Sequence, residues 1–286
     1  MKGIDKLRAK LPDYKGRKIR IFVVIGFLVL IASIAFQLFM DSLPRIFRAV
    51  EILQILAPFT PLIGYFIVIL SGFLIVRRFW RIRDKYLSKF GEKAYQKAFK
   101  LVAIGIPLLF SVIIHSFFPT DLLIPYKIDD TISRYLGVPI SELIFDFPSY
   151  IFYIRLVLSI GLVGLGLFVI NRALKFFGID YMSLVYLFYP EESTLQHHEI
   201  YSILRHPTYH SLLLISLGSI FFRFSIYSII YFLFFLVGIN LHLKYVEEKE
   251  LIQRFGENYE NYRESVPALF VRFKDLKRYF STLFLS

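Results

Sequence analysis

Residues 209–243 read YHSLLLISLGSIFFRFSIYSIIYFLFFLVGINLHL, two apolar runs parted only by Arg223, Phe224 and Ser225. Each run is close to the roughly 20 residues that a helix needs to cross a hydrocarbon core about 30 Å thick. A connection of three residues leaves no choice of topology: the two runs form a tight helical hairpin, and the chain returns to the side it left. Whatever precedes residue 209 therefore meets whatever follows residue 243 at one membrane face.

Outward from this hairpin, the rest of the chain has the same character. Its 286 residues are 56% hydrophobic and 18% aromatic, with a mean hydropathy of +0.59, too apolar for a single water-soluble domain. Six spans are expected, over 21–40, 52–76, 101–118, 150–170, 209–222 and 226–243, the fifth being short. The fold class is an all-α polytopic transmembrane bundle. Pro58 and Pro61 are expected to interrupt the second span. Gly161, Gly164 and Gly166 suggest that the fourth is central, where small residues permit close helix approach.

Charge tests this topology independently, because Lys and Arg accumulate in cytoplasmic loops. With six spans, 28 of the 34 basic residues fall on one side, in 1–20, 77–100, 171–207 and 244–286. Only Arg45, Arg48, Lys127, Arg134 and Arg223 fall on the other, and Arg155 lies inside a span. Both termini are therefore expected to be cytoplasmic. The loop 119–149 on the opposite side is acidic, with Asp121, Asp129, Asp130, Glu142 and Asp146. The net charge of +12 sits beside membrane segments, so anionic headgroups explain it better than nucleic acid does. With no cysteine, disulfides, thiolate metal sites and cysteine nucleophiles are excluded. The charged leader lacks a small-residue cleavage site, and the first span is expected to stay as an anchor.

The expected halves are 1–149, three spans without recognisable chemistry, and 150–286, which holds two polar clusters flanking the hairpin. Within 1–149, His115 is expected to be packed or to reach the interface, and Arg155 in the second half to snorkel or to pair structurally. The first cluster is Tyr201-x-x-x-Arg205-His206-Pro207-Thr208-Tyr209. Pro207 suits the first turn of a helix, whose free N–H groups and partial positive charge can receive a carboxylate. Arg205 and His206 add donors, and Tyr201 and Tyr209 add ring faces for an adenine or a sulfonium cation. The second cluster is Glu247-Glu248-x-x-Leu251-x-x-x-Phe255-Gly256-x-x-Tyr259-x-x-Tyr262. Its carboxylates can accept from a ribose or an ammonium group. Gly256 reads as a left-handed helix cap, after which Tyr259, Tyr262, Val266 and Pro267 turn the tail back across the site.

From about Asn171 to Pro267, these ordered clusters resemble the integral-membrane S-adenosylmethionine-dependent methyltransferases of the isoprenylcysteine carboxyl methyltransferase and phospholipid methyltransferase group. The resemblance implies S-adenosylmethionine as cofactor, no metal, and a lipid, prenylated or otherwise lipidated acceptor. It implies cofactor contacts from Tyr201, His206, Pro207, Thr208, Tyr209 and Glu247, with Arg205 and Glu248 as the catalytic pair. No Rossmann G-x-G-x-x-G occurs. Three positions depart from the family: Glu199 where relatives carry glycine two residues before Tyr201, Ser211 where glycine follows the second tyrosine, and Leu243 where isoprenylcysteine enzymes use an arginine for the acceptor carboxylate. His242 or Lys244 is the nearest substitute. The rival readings are a membrane NADPH-dependent sterol-reductase-like enzyme, which shares a similar helical core, and a non-catalytic protein that retains the fold.

Overall fold

The computed structural model describes residues 2–124, 131–143 and 148–284; Lys127, Asp129, Asp130 and Asp146 lie outside the described residues. Among the described residues the chain is helical throughout, with no strand. The long helices are α1 (Arg20–Ile46), α2 (Thr60–Arg81), α3 (Ala94–His115), α4 (Tyr150–Phe177), α5 (Pro207–Arg223) and α6 (Ile226–His242), followed by the shorter α7 (Glu248–Phe255), α8 (Glu257–Ser265) and α9 (Leu276–Phe284).

Among the described residues, five helical stretches are long and apolar enough to cross a membrane: Gly16–Ile46, Thr60–Arg81, Arg83–His115, Tyr150–Phe177 and Ile226–Phe255. The protein is a multi-pass membrane bundle. The fifth expected span, α5, has only 17 residues, about 26 Å of helix at 1.5 Å per residue. The second expected span is broken as its prolines require: Glu51–Ile55 forms a separate turn, and Pro61 starts α2. The Pro58 carbonyl freed by the break accepts a hydrogen bond from Tyr227 Oη at 2.8 Å, so α6 compensates for the interruption.

α1, α2 and α3 form one packed unit, and α4 and α5 another, joined through α6. Close approach in the first unit needs Gly72, where a Cβ would fall 2.8 Å from Leu109 Cδ2. The Gly161, Gly164 and Gly166 expectation is corrected. Only Gly166 meets a neighbour, a Cβ there falling 2.8 Å from the Ser211 carbonyl on α5, whereas Gly161 and Gly164 face open space. Only 22% of the apolar window of α4 is buried, against 44% for α3. Thus α3, not α4, is central, because α4 packs mainly on α5 while α3 is enclosed by α1 and α2.

The α5–α6 hairpin closes as its sequence dictates. Phe224 takes a left-handed conformation at φ 53° and Ser225 caps α6 with a reciprocal Ser228 capping box. Arg155 does not snorkel, and among the described residues it has no ion-pair partner. It is buried, with its guanidinium 4.8 Å from the ring of Phe224 and 5.7 Å from that of Phe152, a cation–π hold on the hairpin corner. His115 is packed, as expected, but also paired: its Nε2 lies 2.8 Å from Asp41 Oδ2, both side chains fully enclosed.

Candidate functional site

The hairpin brings the two polar clusters to one end of the bundle. α5 starts at Pro207 with His206 as the preceding cap residue. The loop before it is pinned by the returning tail: Arg205 N–H donates to the Pro267 carbonyl at 2.9 Å and His206 N–H to the Ala268 carbonyl at 3.1 Å. Tyr262 Oη donates to the Tyr201 carbonyl at 2.5 Å. The tail therefore folds back as the sequence suggests. Gly256 does adopt positive φ (57°), but with ψ −137°. That is a glycine-only conformation rather than the left-handed cap expected.

α6 does not run straight into α7. Residues Leu243–Glu247 form a π-helical turn, an insertion that shifts the helix face by one residue and is frequent at functional sites. It sets Glu247 and Glu248 on either side of His206. Tyr209 Oη donates to Glu247 Oε2 at 2.7 Å, and His206 Nδ1 lies 3.3 Å from Glu247 Oε1. The other ring nitrogen, Nε2, lies 3.2 Å from Glu248 Oε1. Only an imidazolium has donors on both nitrogens. Burial pushes the His206 pKa down, but hydrogen bonds to Glu247 and Glu248 and their charges more than offset it, so the pKa is raised.

Arg205 donates to Glu248 Oε1 through Nη2 at 2.5 Å and Nε at 3.1 Å, and its Nη1 donates to the Val266 carbonyl at 2.5 Å. Glu248 is thereby committed to Arg205 and His206. Glu247, in contrast, forms part of the wall of a cavity of about 480 Å³. Tyr201, Arg205, His206, Pro207, Thr208 and Tyr209 line the same cavity; Glu248 does not. The Tyr201 ring packs 4.3 Å from that of Phe177, and Thr208 Oγ1 lies 3.4 Å from Met182 Sδ. A volume of this size suits a small-molecule ligand.

Sequence reasoning missed the opposite wall. Val76, Trp80, Val102, Ile106, Leu109 and Phe110, from α2 and α3, line the same cavity. Apolar periodicity shows which residues are membrane-embedded but not which of them border a cavity, so only the lone tryptophan offered a signal. Arg254 also lines the cavity and is held by Glu250 at 2.8 Å (Nε) and 2.5 Å (Nη2).

The three departures from the family pattern fall in different places. Glu199 has φ 52°, a conformation that glycine adopts without cost. Ser211 does not line the cavity; it is fully buried beside α4 and its Oγ donates to the Thr208 carbonyl at 2.7 Å. Leu243 is buried in the α2–α3–α6 core. Of the two suggested substitutes, Lys244 is exposed, whereas His242 is buried, with its ring 5.1 Å from Trp80 and Nε2 3.8 Å from Glu247 Oε2.

Residues 154–258 match the family model described as phospholipid methyltransferase. The membrane-methyltransferase resemblance read from the two clusters holds over this segment. No curated protein and no solved structure matches the chain.

Proposed function

Starting from a membrane-embedded segment, 154–258, that matches the phospholipid methyltransferase family, we propose that this chain is an S-adenosylmethionine-dependent methyltransferase acting on a lipid or lipidated acceptor. The observation that carries this reading is the convergence of Tyr201, His206, Pro207, Thr208, Tyr209 and Glu247 on one cavity. Polar groups from the family-matched segment line one wall and apolar side chains of α2 and α3 the other. Residues 150–286 form the catalytic core and 1–149 supply the acceptor wall, with both termini in the cytoplasm.

When bound, S-adenosylmethionine supplies a methyl group on a sulfonium whose thioether leaves without further activation. The residues present fit such a group. The first turn of α5 offers unpaired backbone N–H groups and the positive end of the helix dipole for a carboxylate. Tyr201 and Tyr209 offer ring faces to a cation, and Glu247 offers acceptor oxygens. The protein's task is then to hold the acceptor in line at near-attack distance and to exclude water. A carboxylate acceptor requires no base. An amine or hydroxyl acceptor must lose a proton, and Glu247 is the carboxylate on the cavity wall that can take it, while Glu248 fixes Arg205 and His206. Val102, Ile106 and Leu109 give an acyl or prenyl chain an apolar surface at membrane depth.

Isothermal titration of the detergent-purified protein with S-adenosylhomocysteine, with NADPH in parallel, tests this. Binding of S-adenosylhomocysteine alone, lost in His206→Ala and weakened in Glu247→Gln, is the expected result. Binding of NADPH alone, or of neither, overturns it.

A further inference from the structure

Past the tail that pins Arg205, the chain ends its described course in α9, which presents two unlike faces. One face is buried. Tyr279 and Leu283 are enclosed, Tyr279 Oη lies 3.0 Å from His210 Nε2, and His210 Nδ1 lies 2.7 Å from the Leu269 carbonyl. The far end is tied to α4: Arg172 Nε donates to the Leu283 carbonyl at 2.9 Å, and the Phe284 ring stacks on Phe168 at 4.9 Å. Phe168 is nine residues inside the end of α4 at Phe177, about 13 Å along its axis at 1.5 Å per residue. α9 thus rises along α4 to membrane depth.

The other face is turned outward, although the Phe284 ring at its end also stacks on Phe168. Phe270, Phe273, Leu276, Phe280 and Phe284 are all exposed, Phe273 by 93%. Leu276, Phe280 and Phe284 recur every four residues, one stripe of a helix. Arg272, Lys274 and Lys277 are exposed beside this stripe, and Asp275 is the single acid between Leu269 and Phe284. An apolar stripe bordered by basic residues, lying beside a span, is the pattern of a helix in the membrane interface, held by apolar burial and by attraction to anionic lipid.

We propose that residues 270–284 dock on the anionic headgroup layer of the leaflet that faces the Arg205 cluster, with Phe273, Leu276, Phe280 and Phe284 inserted at the acyl boundary. Through Tyr279 and His210 this docking supports the first turns of α5, so the anionic content of the membrane bears on the order of the cavity mouth. The inference rests on the membrane embedding of the chain and stands whether or not the protein transfers methyl groups.

The absence of cysteine makes the test direct. Phe273→Cys and, separately, Phe280→Cys are labelled with an environment-sensitive fluorophore. Each protein is placed in nanodiscs of phosphatidylcholine alone or mixed with phosphatidylglycerol, with nitroxide-bearing acyl chains as quencher. The expected result is quenching at both positions that strengthens with phosphatidylglycerol. Arg272→Glu, Lys274→Glu and Lys277→Glu should each lower the docking equilibrium constant by roughly fivefold or more, since about 1 kcal/mol attends each basic charge lost. The proposal is overturned if quenching is equal in the two lipid compositions, if the charge reversals leave it unchanged, or if aqueous iodide reaches both labels. Protection that grows with the number of protein copies per disc also overturns it, since the face would then be covered by a second copy.

Discussion

The Arg205 guanidinium places both Nε and Nη2 on a single oxygen of Glu248, while its remaining nitrogen, Nη1, holds the carbonyls of Arg263 and Val266. One side chain thus joins the loop before α5, the start of α7 and the returning tail. Both partners are largely buried, with side chains 9% and 14% exposed. Removing one member of such a pair leaves the other charged and desolvated, a cost of about 3–5 kcal/mol. Arg205→Ala is therefore expected to lower the unfolding midpoint strongly and to raise amide exchange in residues 266–284. Glu248→Gln, which keeps an acceptor oxygen, should cost clearly less. Differential scanning fluorimetry with hydrogen–deuterium exchange distinguishes the two.

His206 carries the pH dependence. Its pKa is raised above the ordinary value of 6.5, so the folded protein binds this proton more tightly than the unfolded chain does. The stabilisation from the two glutamates is fully present below about 6.5, the unfolded value, and is lost as pH rises through the folded value. Thermal stability should fall on passing from mildly acidic to mildly alkaline buffer, and His206→Gln should flatten that fall. An identical slope in the variant would remove His206 from the account.

Glu199 tests the backbone. A side chain at φ 52° costs roughly 1–2 kcal/mol that glycine does not incur, partly offset by the greater entropy of glycine in the unfolded chain. Glu199 is exposed, so little packing is lost with it. Glu199→Gly is expected to stabilise the protein by about 1 kcal/mol, whereas Glu199→Ala, which keeps the Cβ, gives no such gain. Chemical denaturation of both variants in detergent decides this.

Much of this arrangement was legible in the sequence because it depends on local signals. The short Arg223-Phe224-Ser225 connection dictates the hairpin, Pro207 marks the start of α5, and the ordered clusters around His206 and Glu247 follow from both. The π-turn at Leu243–Glu247 was not legible. Nothing in its residue types departs from an α-helix, and only the fit of Glu247 and Glu248 around His206 explains it. The cavity wall from α2 and α3 was equally hidden, since Val102 or Ile106 facing a ligand reads like Val102 or Ile106 facing lipid. The family resemblance gave Glu247 to the cofactor and Glu248 to the catalytic pair, but only three-dimensional pairing shows that Glu248 is held by Arg205 while Glu247 stands on the cavity wall.

A second buried polar pair also bears on stability. Asp41 and His115 come from α1 and α3, 74 residues apart, at the far end of these helices from the cavity. Neither residue's neighbours in sequence announce the pair. Asp41 is 2% exposed and His115 is fully buried, so Asp41→Ala leaves an imidazole without its hydrogen-bond partner inside the bundle, at a cost of about 1–3 kcal/mol. Replacing both with leucine removes the polar groups together and should recover a large part of that loss, because a buried pair is often no more stable than well-packed apolar residues. A double-mutant cycle on thermal stability measures the coupling directly. Because neither Asp41 nor His115 lines the cavity, S-adenosylhomocysteine affinity should be unchanged in whichever of these variants folds. A loss of affinity without a loss of stability would mean instead that the Asp41 end of the bundle communicates with the His206 end.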